Sequence, residues 1–134
     1  MTDLIKFFEN DRFARNAGVE LLMLEDGHAR ARMRVTPVHL NAGGVCQGGA
    51  LFTLADLAFA AVANSHRQLT FSIVSNVTFL RSVSSGYVYA DAVETFAHHR
   101  IPFIEVRLTD EAGNLVAVMT ASGYRKDISL PAGK

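Results

Sequence analysis

The sequence is poor in cysteine, has no surplus of either charge and contains no long apolar run. Each of these shortages excludes a class of structure or partner. A single cysteine, Cys46, excludes an intramolecular disulfide and is typical of a reducing compartment. Thirteen basic side chains balance thirteen acidic ones, so no overall field draws the chain to nucleic acid or to an anionic membrane. The longest nearly apolar run, residues 50–63, falls short of the roughly 20 residues that a membrane span needs. Because the first residues also lack the pattern of a signal peptide, we expect a soluble, cytoplasmic protein.

The length of 134 residues predicts one domain, 1–134, which begins with an amphipathic helix. Apolar and charged residues mix at helical spacing, and Asn16-Ala17-Gly18 is a typical helix end, so this helix is predicted over 1–17. Asp26-Gly27 is a strong turn signal between two strand-like segments, which predicts a hairpin over 19–36. The tail, 127–134, is expected to fray.

The middle of the chain is a glycine-rich loop followed by an almost wholly apolar helix, predicted over 50–64. Four segments rich in Val, Ile, Thr and aromatic residues come next, and short turns separate them; they are 71–83, 87–97, 103–109 and 115–124. This order predicts a meander of four strands. An α+β fold follows, in which a curved antiparallel sheet wraps around one central helix.

The central helix carries a single carboxylate, Asp56. Among residues 50–63 only Thr53 and Asp56 are polar, so the helix is expected to lie buried in the domain. Burying an unpaired charge costs several kcal/mol, and stability alone does not favour an Asp at such a position. A catalytic or binding role for Asp56 is therefore predicted.

Residues 40–65 resemble the signature of the hotdog-fold thioesterases of the phenylacetate-degradation (PaaI) type. The resemblance rests on Cys46-Gln47-Gly48-Gly49 followed by Leu51-Phe52-Thr53-Leu54-Ala55-Asp56, and it extends through 77–81 and the hairpin at 110–116. It implies a hotdog fold and hydrolysis of acyl-coenzyme A thioesters by a homodimer or homotetramer. It also implies that no metal and no separate cofactor take part, since coenzyme A belongs to the substrate.

Within this resemblance Asp56 is the catalytic carboxylate and Asn41 orients it or its water. The residue before the first glycine is usually His in the family, and here it is Gln47, which can donate a hydrogen bond but cannot carry a proton at neutral pH. Gly48 and Gly49 stand at the predicted helix start, where free N–H groups and the positive end of the helix dipole can stabilise an oxyanion. Asp56 is then a general base, or a nucleophile that forms an anhydride.

The spacing of Gly48 and Asp56 predicts assembly. Eight residues correspond to about 12 Å along a helix, whereas both groups must come within about 3 Å of one reacting centre. Two central helices that run antiparallel across a twofold axis would bring Gly48 of one subunit to Asp56 of the other and form two equivalent sites.

Other candidate residues have alternative interpretations. Thr53 shares a face with Asp56 and either hydrogen-bonds it or fills space. Arg81, His99 and Arg100 are candidates for contacting the phosphates of coenzyme A, or are solvated turn charges. His39 either lines the pocket or is an exposed loop residue, and exposure is the expectation. No cluster has metal-ligand spacing, so no metal is expected.

The acyl group and the activity also have alternatives. Six residues line a pocket for an aryl or medium-length acyl chain or belong to the core: Leu4, Phe7, Phe8, Phe52, Phe59 and Phe79. A non-catalytic acyl-coenzyme A binding protein is the alternative that Gln47 leaves open. A hotdog hydratase or dehydratase is a further alternative, and it fits less well because those enzymes pair an Asp with a His near the helix start.

Overall fold

The computed structural model describes residues 1–130. Its three α-helices are α1 (Thr2–Phe8), α2 (Arg12–Asn16) and α3 (Gly48–Ala63), and a single 3-10 turn covers Pro37–His39. Its six strands are β1 (Val19–Glu25), β2 (His28–Val35), β3 (Gln68–Phe79), β4 (Gly86–Phe96), β5 (Phe103–Asp110) and β6 (Leu115–Ser129). None of the helices in the described part of the chain has the length and apolar character needed to cross a membrane.

The strands form one antiparallel sheet in the order β1-β2-β4-β5-β6-β3. Helix α3 contacts all six strands, so the sheet wraps around it. Alternation along β2 explains the packing, because Ala29, Ala31 and Met33 are buried against α3 while the arginines between them face outward. This is the predicted α+β architecture, a curved sheet around one long helix.

Strand β3 does not join the meander that the sequence predicts. Strands β4, β5 and β6 form a meander, whereas β3 pairs with β6 over the register Gln68 to Ser129 through Phe79 to Ala117. The prediction of a four-strand meander was wrong because it assumed that each strand pairs with the next in sequence. The connection between β3 and β4 instead crosses from one side of the sheet to its interior, and β3 becomes an edge strand.

The amino-terminal helix predicted over 1–17 is two short helices. Helix α1 ends at Phe8, and Asp11 starts α2 by accepting a hydrogen bond from the Ala14 N–H at 3.1 Å. An Asp at this position is a preferred N-cap, which explains why the chain restarts a helix there instead of continuing one.

The carboxyl-terminal tail predicted over 127–134 is partly ordered. Strand β6 continues through Ser129, so residues 127–129 belong to the sheet, and Ser129 pairs with Gln68. The Leu130 N–H donates to the Arg67 carbonyl at 2.9 Å. The last four residues of the predicted tail, 131–134, lie outside the described residues.

Candidate active site

The candidate site lies where the loop 36–47 joins the start of α3. His39 is buried in this loop, contrary to the expectation that it is exposed. Its Nδ1 accepts a hydrogen bond from the Thr36 N–H at 3.0 Å, and its Nε2 lies 2.6 Å from the Ala17 carbonyl. Because Nδ1 is the acceptor, Nε2 carries the proton and donates to Ala17. The ring therefore joins the loop to the end of α2.

Asn41 organises the tight turn that precedes α3. Its Oδ1 accepts from the Gly43 N–H at 2.9 Å and from the Val45 N–H at 3.3 Å, and its own N–H donates to the Val45 carbonyl at 2.8 Å. This is the self-capping geometry that Asn favours in turns. Within residues 1–130 no hydrogen bond joins Asn41 to Asp56, so in a single chain its side chain shapes the loop.

Helix α3 begins at Gly48, two residues earlier than predicted, with Gln47 as its N-cap. The Ala50 and Leu51 N–H groups donate to the Gln47 carbonyl, whereas no acceptor among the described residues binds the Gly48 or Gly49 N–H. These are the free donors that every helix start leaves. They lie at the positive end of a 16-residue helix.

Two side chains lie close to the glycines of this helix start. A Cβ at Gly48 would lie 3.0 Å from the ring of Phe79, and a Cβ at Gly49 would lie 2.9 Å from the carboxamide oxygen of Gln47. The Gln47 carboxamide therefore covers Gly49, and the Phe79 ring packs on Gly48.

A cavity of about 320 Å³ adjoins the helix start and is lined in part by Gly48, Phe79 and Arg81. Cys46 is buried at the same cavity, and burial raises the pKa of its thiol. A thiol with a raised pKa is a poor nucleophile at neutral pH. This favours a structural role for Cys46 over a catalytic one.

Asp56 lies on the one face of α3 that the sheet does not cover. Four half-buried residues share this face, Phe52, Thr53, Asp56 and Ala60, whereas the residues on the other sides of the helix from Leu51 onward are buried. The expectation that the helix lies buried in the domain is thus wrong for this face in a single chain. The reason is that the sheet curves around α3 without closing over it.

The Asp56 carboxylate makes no hydrogen bond or ion pair with another residue of the described chain. Burial raises its pKa above the usual value for Asp, and the negative charge of Asp11 raises it further. Asp11 at the start of α2 is therefore close enough to act electrostatically on Asp56. Asp11 and Asp56 are 45 positions apart in sequence, so no local pattern reveals this interaction.

Thr53 does not hydrogen-bond Asp56. Its hydroxyl donates to the Gly49 carbonyl at 2.9 Å, one turn earlier in α3. Of the two interpretations from sequence, the structure therefore shows a side chain that bonds to the helix backbone and occupies the open face. This bond uses the hydroxyl hydrogen and leaves the oxygen free to accept.

The three candidates for phosphate contact fall at opposite ends of the sheet. Arg81 follows β3 next to Gly48 and lies close enough to Asp110 to contribute to its lowered pKa, whose largest cause is a hydrogen bond from the Asn114 N–H. Arg100 donates to the Arg125 carbonyl at 2.7 Å and to Asp127 at 3.1 Å, where Phe71 pairs with Tyr124.

Residues 71 and 79 of β3 are about 26 Å apart at 3.3 Å per residue. His99 is exposed and adjoins Arg100, so both belong to the far end of the sheet from Arg81. One chain therefore does not bring Arg81 together with His99 and Arg100.

The six apolar candidates for an acyl pocket also separate. Leu4 and Phe59 are fully buried core residues, Phe79 packs on Gly48, and Phe52 lies on the open face of α3. Phe7 is half-buried and packs edge-on against Phe8. Phe8 lines a second cavity beside α3, which the sequence did not reveal as a whole because four different elements form it.

Comparison with known proteins finds a matching family model and several sequence relatives. The family model of the thioesterase superfamily matches residues 43–117. A protein of Archaeoglobus fulgidus is 31% identical over 92% of this chain and 81% of its own length. The acyl-coenzyme A thioesterase PaaI of Escherichia coli is 37% identical over 59% of this chain and 56% of its own length.

Solved structures agree with the sequence matches. The structure of E. coli PaaI superimposes with a TM-score of 0.92 at 25% identity, covering 97% of this chain and 95% of that one. The TT0310 protein of Thermus thermophilus superimposes with a TM-score of 0.83 at 32% identity, covering 87% of this chain and 99% of that one. The site just described, from Gly48 to Asp56, lies inside the part of the chain that the family model matches.

Proposed function

The chain belongs to the thioesterase superfamily, and from this premise we propose that it hydrolyses acyl-coenzyme A thioesters with aryl or medium-length acyl groups. The observation that carries the proposal is the pairing of two features on α3. Free N–H groups at Gly48 and Gly49 begin the helix, and an unpaired carboxylate with a raised pKa, Asp56, lies on its open face. Thioester hydrolysis needs these two functions, a donor to an oxyanion and a group that activates water.

In the proposed reaction the thioester carbonyl oxygen accepts a hydrogen bond from the Gly48 N–H, and the Gln47 carboxamide supplies a second donor. Asp56 takes a proton from water while the water oxygen bonds to the carbonyl carbon, and the charge that develops on the oxygen is stabilised at the helix start. Collapse of the tetrahedral intermediate breaks the carbon–sulfur bond. Coenzyme A leaves as a thiolate that takes up the proton, and the free acid remains.

Asp56 can instead act as the nucleophile. Its carboxylate then attacks the carbonyl carbon, the thiolate leaves, and water hydrolyses the mixed anhydride in a second step. Both routes need an ionised Asp56 and the same oxyanion donors. Asn41 holds the loop that presents Gly48, and Thr53 offers a hydroxyl oxygen on the Asp56 face.

The reaction needs two chains, since Gly48 and Asp56 of one helix are about 12 Å apart. Strand β3 supports such assembly because it is an edge strand of 12 residues that exposes apolar side chains, including Phe71, Ile73 and Val74. An exposed apolar edge is a template for pairing with another chain. A twofold axis beside β3 and α3 would bring the open face of one α3 against the other and form two sites per dimer. Two dimers could then form a tetramer.

Coenzyme A would enter along the cavity at Gly48, with Arg81 at its rim as the phosphate contact. His99 and Arg100 lie at the other end of the sheet and can contribute only from a second chain. A second candidate function, acyl-coenzyme A binding without hydrolysis, is favoured by Gln47, which cannot serve as an acid.

The test is initial-rate hydrolysis of aryl, short-chain and medium-chain acyl-coenzyme A thioesters, read by release of free thiol. We expect turnover by the wild type and a loss of about 10²–10⁴-fold in kcat for Asp56→Asn, with its fold and oligomeric state retained. Binding of acyl-coenzyme A without turnover of any thioester would favour the binding protein instead.

A further inference from the structure

A second and larger cavity, of about 520 Å³, lies between α1, α2, β1 and the middle of α3. Phe8 of α1, Ala14 of α2, Val19 of β1 and Leu57 of α3 are all buried and form its floor. Ile5 and Leu21 are half-buried and form its sides. The floor is therefore apolar, and four separate elements shape the cavity.

The rim of this cavity is charged. Glu9, Arg15 and Glu20 are exposed at its mouth, and Glu20 accepts a hydrogen bond from Arg32 at 3.0 Å, so two carboxylates lie beside two guanidinium groups. These charges balance, and a ligand carboxylate on the apolar floor would lose its hydration without gaining a partner there. The cavity thus suits an uncharged apolar group.

The cavity lies beside the reacting groups. Leu57 of its floor directly follows Asp56 in α3, so the two side chains project from the helix about 100° apart. Asp11, between α1 and α2, raises the pKa of Asp56, which places the helices that form the cavity next to the carboxylate. A thioester carbon held at Asp56 would have this cavity within reach of its acyl chain.

We propose that this cavity holds the acyl group of the thioester and that its volume and apolar floor select uncharged aryl and medium-length acyl groups. The proposal rests on the function proposed above. Binding cavities for small organic ligands span about 300–1,000 Å³, and the volume of this cavity falls within that range. An acetyl group would leave the floor unoccupied, and the second carboxylate of a dicarboxylic acyl group would be desolvated on the apolar floor.

The residues that line the cavity and the residues that react come from different segments of the chain. The family model matches residues 43–117, and Leu57 is the one lining residue of this cavity that falls inside it. The other lining residues come from residues 5–21. The reacting groups are thus part of the segment matched by the family model, whereas this chain's own amino-terminal segment determines which acyl group fits.

The test is to fill the cavity and to measure acyl selectivity. Leu21→Trp adds bulk to one side of the cavity, and Leu22→Trp is its matched control, since Leu22 is the next residue of β1, is 43% exposed and does not line the cavity. We expect Leu21→Trp to lower kcat/KM for phenylacetyl- and hexanoyl-coenzyme A at least tenfold while acetyl-coenzyme A changes less than threefold. Leu22→Trp should leave all three substrates within threefold of the wild type.

Equal losses for all three substrates, or no loss for any, in a folded Leu21→Trp would overturn the proposal. Ile5→Trp fills the cavity from α1 and gives the same readout if Leu21→Trp does not fold. A wild type that hydrolyses no thioester would refute the proposed function alone, and binding would then test the cavity by calorimetry. Hexanoyl-coenzyme A should then bind the wild type more tightly than coenzyme A does. Loss of this difference in affinity in Leu21→Trp, with the difference kept in Leu22→Trp, would support the cavity as the acyl site. The same difference in Leu21→Trp as in the wild type would overturn it.

Discussion

Subunit complementation tests whether each site combines Gly48 of one chain with Asp56 of another. Gly48→Pro removes the donor with little change to the helix, because Pro is favoured at the first helical position and Gln47 already has the extended conformation, with φ −64° and ψ 141°, that precedes Pro. Loss of one oxyanion donor is expected to lower kcat about 10²–10³-fold. Asp56→Asn removes the carboxylate, so each variant alone should be nearly inactive.

Mixed dimers of the two variants should regain activity. One of their two sites receives the intact Gly48 from the Asp56→Asn chain and the intact Asp56 from the Gly48→Pro chain, while the other site receives both substitutions. Random pairing of equal amounts makes half of the dimers mixed, and half of their sites are intact, so activity should reach about a quarter of the wild-type value. Co-expression with two different affinity tags and thiol-release assays on the purified mixture measure this fraction.

The control for the substitution at Gly48 is Gly48→Ala. It places the same Cβ 3.0 Å from the Phe79 ring but keeps the N–H, so it should retain much more activity than Gly48→Pro. The reasoning is refuted if the co-expressed variants show no more activity than the two alone, because sites contained within one chain would all be defective in every dimer.

Three further predictions concern charge and assembly. Asp11→Asn should move the acidic limb of kcat/KM to lower pH, since it removes a charge that raises the pKa of Asp56 and keeps the cap of α2, while Glu25→Gln should not shift the limb. Asp56→Asn should raise the free energy of unfolding at neutral pH, because a carboxyl with a raised pKa in the fold destabilises it when ionised. That gain should disappear below the usual pKa of Asp, where Asp56 is protonated in both folded and unfolded chains, and denaturant titrations at several pH values measure it. Val74→Lys on the β3 edge should weaken association and lower activity with it in analytical ultracentrifugation and rate assays, whereas Leu22→Lys on the β1 edge should not.

Much of the local structure could be predicted from sequence because the signals are themselves local. Asp26-Gly27 fixed the first hairpin, and Gly27 has the positive φ of 77° that this turn requires. The start of α3 was placed at Ala50 because glycine has a low helix propensity. The helix begins at Gly48 instead, since the Gln47 carbonyl accepts from Ala50 and Leu51.

The site residues that the family resemblance names could be predicted from sequence. Contacts between segments that are distant in sequence could not. Gly48 and Asp56 lie on one helix, so their spacing could be read directly. The action of Asp11 on Asp56 and the burial of His39 against Ala17 depend on how α2 packs, and no periodicity in the sequence encodes that contact. Which face of α3 stays open also depends on the sheet as a whole.

The pairing of β3 with β6 has a consequence for the order in which the chain is made. Strand β3 precedes β6 by about 40 residues, so during synthesis it emerges without the neighbour that its ladder from Gln68 to Phe79 requires. Its exposed apolar residues stay unpaired in the nascent chain until residues 115–129 have left the ribosome, which is when such segments are most prone to aggregate. The β3 edge that is proposed to join two chains therefore forms only after β6 has been synthesised. Association of two chains then follows completion of the sheet.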